Sequence, residues 1–511
     1  MFKITYLGHA GWLCETENLK CVFDPWACDS GAFFDSWYPF PDNSNIDFEK
    51  ILSDLDFIYI SHAHEDHLVE ETLKLADKDT KIIISKFNEK STLSKLSSLG
   101  FTNIQEISCN QKIKVKDVKV SLLKSEGRME NDSCILIEKD KFKLLNLNDC
   151  HVDFQKLKNF SGEVDVLLIQ SSNAIWWPCN YEYEDNIKKE FGNLKRKNLL
   201  NRSLKYSEQL SAKLTIPNAG PPIFKNKEMD RWNFKRNENW NPFCTSKEAA
   251  DFFNNNNKVS EFMVPGETVE ISHEMKVNKN ENLRNLIYGN LENYTKEYLK
   301  RIRSQKGQTF LQEDTANKFI KKFIRQVKTL SKISNVYINK IDFKVLFEFG
   351  PSEKWVMDFQ NKLNPIEQFA GQECRYHFTI NKNYLPLLFS NKEVDFERLF
   401  LSGDFSCKRE PDVFNEFLFV ILKNFDTKRF LISEKTYAEN NKMEDEFFVL
   451  NHKGCSYEVQ KFCPHMFADL EEVGYVNDSG KFVCPLHGWE FDLITGVCEG
   501  KKEKLKINKK K

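Results

Sequence analysis

An excess of charge of either sign is what this chain most plainly lacks: its 511 residues carry 74 Lys plus Arg against 75 Asp plus Glu, a formal net charge of −1. Such a balance gives no electrostatic footprint for nucleic acid or an anionic membrane surface. Long hydrophobic runs are missing too, and none approaches the roughly 20 apolar residues that span a bilayer. The opening MFKITYLGHAGWL has no apolar core followed by a small-residue cleavage site, so no leader peptide is expected. The 14 cysteines are dispersed rather than arranged as a disulfide framework, which predicts reduced thiols and a cytoplasmic protein. No internal repeat is visible. The length predicts about three domains, at roughly 100 to 200 residues each.

Cysteine and histidine instead concentrate near the end. Cys463-Pro464-His465 is followed, after a gap, by Cys484-Pro485-Leu486-His487. Two thiolates suit one iron and two imidazoles the other, the ligand set of a Rieske 2Fe-2S centre. A structural zinc site is the competing assignment for two cysteines and two histidines. The segment CPHMFADLEEVGYVNDSGKFVCPLHGWEFDLITGVC resembles the Rieske domains of oxygenases and related reductases over its whole length, through His487-Gly488-Trp489. That resemblance favours the cluster. Where respiratory Rieske proteins have two bridging cysteines, this chain has Ala468 and Leu486, which implies the lower-potential, soluble kind that feeds a catalytic iron.

A second constellation lies near the start. The apolar run Phe57-Ile58-Tyr59-Ile60 leads directly into Ser61-His62-Ala63-His64-Glu65-Asp66-His67. A strand ending in several ligand-type side chains places a metal site at a sheet edge. The pattern H-A-H-E-D-H resembles the metallo-β-lactamase signature, which implies an αββα sandwich holding one or two metals. It also implies an acidic ligand from a later strand, for which Asp149 is the matching residue. His62, His64, Asp66, His67 and Asp149 are therefore the expected catalytic and metal-binding residues, with Asp66 either a ligand or an orienting group. His9 either lines this site or is an internally hydrogen-bonded buried histidine. Asp24, in Asp24-Pro25-Trp26, is expected to organise the site rather than bind metal.

Ring-hydroxylating Rieske oxygenases bind their iron with D-x-x-H-x-x-x-x-H, and no such sequence occurs here. His62 and His67 have the histidine spacing, but Tyr59 stands at the aspartate position. If the cluster feeds an iron in this chain, the lactamase-like motif is the candidate. The pairing of the two domains resembles the CMP-N-acetylneuraminate hydroxylases. Phe23 to Trp26, Gly31-Ala32-Phe33 with Trp37, Ser61 to Leu68, Asp132 to Ile135, Leu145 to Cys150, Lys195 to Leu204 with Pro217, and Leu401 to Glu416 are similar to that family. In those hydroxylases the Rieske domain comes first, whereas here it comes last, and a domain with exposed termini can be moved without losing its chemistry. A family histidine just before the D-x-C segment is missing; Glu130 or His151 would compensate, or a ligand is absent.

The expected fold is α/β and α+β multidomain: a metallo-β-lactamase-like sandwich at 1–275, a helical α+β middle region at 276–432 and a small all-β Rieske domain at 433–511. Strands are predicted over Val336 to Glu348, Glu373 to Ile380 and from Phe447. The middle region also resembles, over about 340 to 425, sterol-carrier-like modules, and the stripe Tyr384 to Phe389 reads as core rather than a lipid cavity. Together these features predict a Rieske-type non-haem iron monooxygenase. The resemblance implies the N-acyl group of a CMP-sialic acid or related nucleotide sugar as target. Expected cofactors are the 2Fe-2S cluster and one or two non-haem irons. Expected partners are dioxygen, a small-molecule substrate and an electron donor (ferredoxin, cytochrome b5-like protein or flavin reductase). The rival reading is a zinc metallo-hydrolase with the Rieske domain as a redox or regulatory module.

Overall fold

The computed structural model describes residues 2–87, 90–109, 111–125, 132–305, 313–333, 336–390, 394–440, 446–464, 470–477, 479–484, 488–499 and 504–510. Two sheets face one another in the N-terminal part. The first has eight strands. Phe2–Gly8, Gly11–Thr16 and Lys20–Phe23 form an antiparallel meander, continued in parallel by Phe57–Tyr59, Ile82–Ser85 and Ile104–Ile107. The second has six, with Phe142–Asn146, Val166–Gln170 and Leu214–Asn218 running parallel at one side.

Because side chains alternate across a strand, each sheet has two apolar faces to cover. The inner faces meet in one core that includes Ile4, Trp12, Phe23 and Tyr59 from the first sheet and Val120, Ile135, Val166 and Ile216 from the second. The outer face of the first sheet buries Leu52, Leu73 and Leu96 from short helices against Val22, Ile58 and Ile84. The outer face of the second packs Leu157, Tyr206 and Leu210 against Leu136, Leu145 and Leu167. This is the expected αββα sandwich. The helix Asp185–Gln209 belongs to that last layer, as does Phe154–Ser161, whose start is capped by Asp153 accepting from Lys156 N at 2.8 Å.

Strand Lys276–Asn278 adds to the edge of the first sheet, and Ile287, Tyr298 and Leu299 of the next two helices pack on Tyr38, Phe40 and Ile223. Beyond them a five-stranded sheet runs in the order Ile366–Gln368, Lys354–Met357, Val345–Glu348, Tyr376–Ile380, Phe405–Arg409. Its core is dense in phenylalanine, and Tyr384, Leu385 and Leu388 of the apolar stripe are buried in it. Phe34 and Tyr181 of the N-terminal domain enter the same core. The strand predicted from Val336 begins only at Val345; Ile338–Lys340 is a 3-10 turn, and Tyr337 is buried with its hydroxyl 2.9 Å from the Ser433 carbonyl. An aromatic anchored to a distant helix overrides local strand preference here.

The C-terminal part holds two three-stranded sheets, Phe447–His452, Cys455–Gln460, Ile507–Lys509 and Tyr475–Val476, Lys481–Cys484, Trp489–Asp492. It rests on the sandwich: helix Leu470–Val473 contacts helix Phe154–Ser161, and Lys205 Nζ lies over the rings of both Phe154 (4.7 Å) and Tyr475 (5.4 Å). No described helix is long and apolar enough to cross a membrane.

Candidate metal centres

Parallel strands end on the same rim, so their trailing residues converge. Lys20–Phe23 delivers Asp24, Phe57–Tyr59 delivers Ser61 to His67, and Phe142–Asn146 of the facing sheet delivers Asp149. The hairpin between the first two strands adds His9, which has a positive φ of 50°. The preceding Gly8 has φ +111°, and a Cβ there would stand 2.8 Å from Asn43 Nδ2.

Asn43 ties the rim together. Its amide donates to the carbonyls of Leu7 and Trp26, both at 2.7 Å, and its oxygen accepts from Cys28 N at 3.0 Å. Replacing Asn43 with alanine leaves three backbone groups unsatisfied, and a loss of about 3 kcal/mol is expected at roughly 1 kcal/mol for each. Thermal unfolding of the purified variant checks this; an unchanged midpoint would refute it.

Asp24 and His67 are fully buried, and His67 Nδ1 lies 2.8 Å from Asp24 Oδ2. Asp24 also accepts from Ser61 N at 2.8 Å and from Ser61 Oγ at 2.6 Å. Asp24 therefore holds His67 as the Nδ1–H tautomer and leaves Nε2 with its lone pair free, the usual way a carboxylate prepares a histidine for a metal. That Nε2 has no hydrogen-bond partner; it faces Asp66 Oδ2 at 3.7 Å and Asp149 Oδ2 at 3.6 Å. Asp149 Oδ1 and His9 Nδ1 are also buried without a hydrogen bond, while His9 Nε2 lies 3.1 Å from Asp66 Oδ2.

Among the described residues two groups of donors result, sharing His67: His9, Asp66 and His67, and His62, His67 and Asp149, with the donor atoms of each group within 4.8 Å of one another. His62 Nε2 and His64 Nδ1 face each other at 2.9 Å. Two ligands at about 2.1 Å from a common ion stand about that far apart. Nitrogen and carboxylate oxygen donors left unpartnered in a buried rim fit a divalent first-row ion.

The electrostatics agree. Burial pulls the His62 imidazole well below its ordinary range, and His67 and His64 push the same way. Burial opposes a charge on His67 as well, yet Asp66, Asp149 and Asp24 lift it well above the ordinary range. Against its own burial, Asp66 is held far below the usual carboxylate range by His67 and His9, and Asp149 is lowered by His67. The pocket thus draws a positive charge toward His67.

Of the expected ligands, His62, Asp66, His67 and Asp149 fall in the two groups; His64 stands beside them through His62. His9, left open between two roles, faces Asp66 and belongs to one group. His151 is in neither group, and its Nδ1 lies 3.5 Å from Arg202 Nη1; Glu130 lies outside the described residues. Two neighbours were not singled out from sequence as site residues. Asp132 lies 3.2 Å from His62 Nδ1, its carboxyl raised by burial and by Asp149. Glu397 comes from the middle sheet domain, with Oε2 3.4 Å from His64 Nε2. Asp132 flanks a recognisable strand, but nothing in the sequence signals Glu397.

Cys463 and Cys484 are each 1% exposed and share a small core with Leu470, Phe482, Trp489 and Phe491. Cys484 ends a strand, and its carbonyl accepts from Gly488 N at 2.9 Å. None of the 14 cysteines forms a disulfide. His465 and His487, the other expected cluster ligands, lie outside the described residues, as do Ala468 and Leu486. Two buried thiols in one small core fit the cysteine half of a cluster.

A β-lactamase superfamily domain model matches residues 3–181, an Rv3818-like, SCP2-like domain model residues 319–439, and a Rieske 2Fe-2S domain model residues 427–509. A Mycobacterium tuberculosis protein named as a Rieske 2Fe-2S iron-sulfur protein is 28% identical over 524 residues, covering 97% of both chains. The human inactive cytidine monophosphate-N-acetylneuraminic acid hydroxylase is 30% identical over 229 residues, 43% of this chain and 44% of that protein. The Pan troglodytes cytidine monophosphate-N-acetylneuraminic acid hydroxylase is 30% identical over the same length, 38% of that protein. The chain thus joins an N-terminal metallo-β-lactamase-fold domain to a C-terminal Rieske domain, the order read from the sequence, and the Rieske domain carries a 2Fe-2S cluster.

Proposed function

We propose that this protein is a Rieske-fed non-haem iron oxygenase that hydroxylates a small polar substrate at the rim of the lactamase-fold domain. The observation that carries this reading is the placement of the Rieske domain. It sits on helix Phe154–Ser161, which begins five residues after Asp149, so the electron module packs on the segment that follows one of the donors. An iron–sulfur centre has no task in simple hydrolysis, whereas oxygen activation needs electrons one at a time.

Cys463, His465, Cys484 and His487 would hold the cluster; His62, His64, Asp66, His67 and Asp149, with His9, would hold iron. Iron with histidine and carboxylate ligands and open positions supplies dioxygen activation. The chain's own groups do the rest. Asp24 keeps the His67 Nδ1 proton in place, and Ser61 Oγ lies 2.9 Å from His62 Nδ1 with Asp132 Oδ1 nearby at 3.2 Å. Beside the rim, a cleft of about 630 Å³ between the lactamase-fold and middle domains is lined by Ser30, Phe34, Asp35, Glu65 and Leu387, among others. Clefts between domains are common small-molecule sites. The likeness to the hydroxylases makes the N-acyl group of a CMP-sialic acid or related nucleotide sugar the first substrate to try, with a ferredoxin, cytochrome b5-like protein or flavin reductase as donor.

Metal analysis of anaerobically purified protein tests the reading. About two irons belong to the cluster, so about three or more per chain are expected, together with substrate-dependent oxygen uptake and a mass gain of one oxygen atom. Two irons plus zinc, with turnover independent of oxygen, would establish the hydrolase instead.

A further inference from the structure

Among the described residues, His64 is the one histidine of the metal motif with a hydrogen-bonding partner in another domain. Its Nδ1 faces His62 Nε2 at 2.9 Å, and its Nε2 faces Glu397 Oε2 at 3.4 Å. Glu397 opens the short helix Glu397–Ser402 of the sterol-carrier-like domain. Its carboxylate is held by Lys423 Nζ at 2.6 Å, and its backbone N–H donates to Asp395 Oδ1 at 2.8 Å. The same helix is clamped to the lactamase-fold domain twice more. Arg398 pairs with Glu65, which also accepts from Phe33 N at 2.6 Å, and the Leu401 carbonyl accepts from the buried Trp37 Nε1 at 2.6 Å. His64-Glu65 of the metal motif thus meets Glu397-Arg398 residue for residue.

A neutral imidazole carries one proton, so Nδ1 can offer a lone pair to an ion only if Nε2 bears the N–H. A carboxylate accepting that N–H fixes the tautomer and raises the basicity of the ligating nitrogen. We propose that Glu397 is the positioning residue of the metal centre, supplied by the sterol-carrier-like domain to hold His64 with Nδ1 toward the ion. The lactamase-fold domain contributes the donors, and the middle domain sets one of them. The inference rests on the reading of His64 as a ligand.

Zinc, which is redox-silent, serves as the probe. Full-length protein with its cluster intact and the second site stripped by chelator is titrated with zinc in equilibrium dialysis. Glu397→Ala is expected to weaken binding about 10- to 100-fold, the usual effect of removing such a partner. Glu397→Gln keeps an acceptor oxygen and is expected to recover most of that loss. Trp37→Phe, which loosens the same helix without touching His64, is expected to leave affinity within about threefold of wild type, well short of the loss that removing a histidine's partner brings. The cluster's EPR signal reports that each variant is folded. His64→Ala separates the two claims. If it weakens binding while Glu397→Ala does not, or if Trp37→Phe matches Glu397→Ala, the role of Glu397 is overturned and the ligand assignment stands. If His64→Ala leaves affinity unchanged, the ligand assignment itself falls, and the Glu397 role with it.

Discussion

Replacing His67 with alanine is expected to empty the lactamase-fold site of metal while leaving the Rieske cluster's EPR signal intact. His67 is the residue common to both donor groups, with Nε2 3.7 Å from Asp66 and 3.6 Å from Asp149. Losing it removes a donor from each and strands Asp24, whose Oδ2 keeps only the Ser61 hydroxyl. Sites of this kind bind with apparent free energies of about 10 kcal/mol or more shared among a few ligands, so affinity should fall on the order of a thousandfold. Substrate-dependent oxygen uptake should drop to background with it. Persistent uptake by a metal-free variant would move the reaction elsewhere in the molecule.

The second large effect is expected from Cys484→Ala. Cys463 and Cys484 are buried at the centre of the C-terminal core, which is small. Domains of that size often rely on a metal or disulfide to fold, and none of the 14 cysteines here forms a disulfide. The cluster should therefore be lost, with about two irons per chain, and the C-terminal domain should become sensitive to protease. The metal of the lactamase-fold site should remain, because its donors all lie in another domain. Donor-dependent turnover should cease. If turnover survives cluster loss, the hydrolase reading gains and the oxygenase reading fails.

Much of this arrangement was legible in the sequence because its signals are local. A run of β-branched and aromatic residues that stops at a histidine cluster can only present that cluster at a strand end, and parallel pairing then brings Asp24 to the same rim. Asp149 was accessible through family likeness, since the turn that carries it depends on a distant network: Asn218 Nδ2 bonds Asn146 and Asn148, each at 3.2 Å, and Asn218 accepts from Trp12 at 2.9 Å. Glu397 was not accessible at all. It is 333 residues from His64, on a short helix of the middle domain, and only packing between domains brings the two together. His9 was readable as a histidine at a turn, while its pairing with Asp66 is a tertiary fact.

The seat of the Rieske domain, with Lys205 lying between Phe154 and Tyr475, also bears on kinetics. A donor that is a separate protein reaches its acceptor by diffusion, and its rate follows concentration. On the proposed function, the last electron transfer would happen inside one tethered body, where local concentration is set by the chain itself. Dilution would slow the arrival of electrons at the cluster but not their onward passage, so the exchange with the outside reductase is the step that the cell's supply of reducing power can govern.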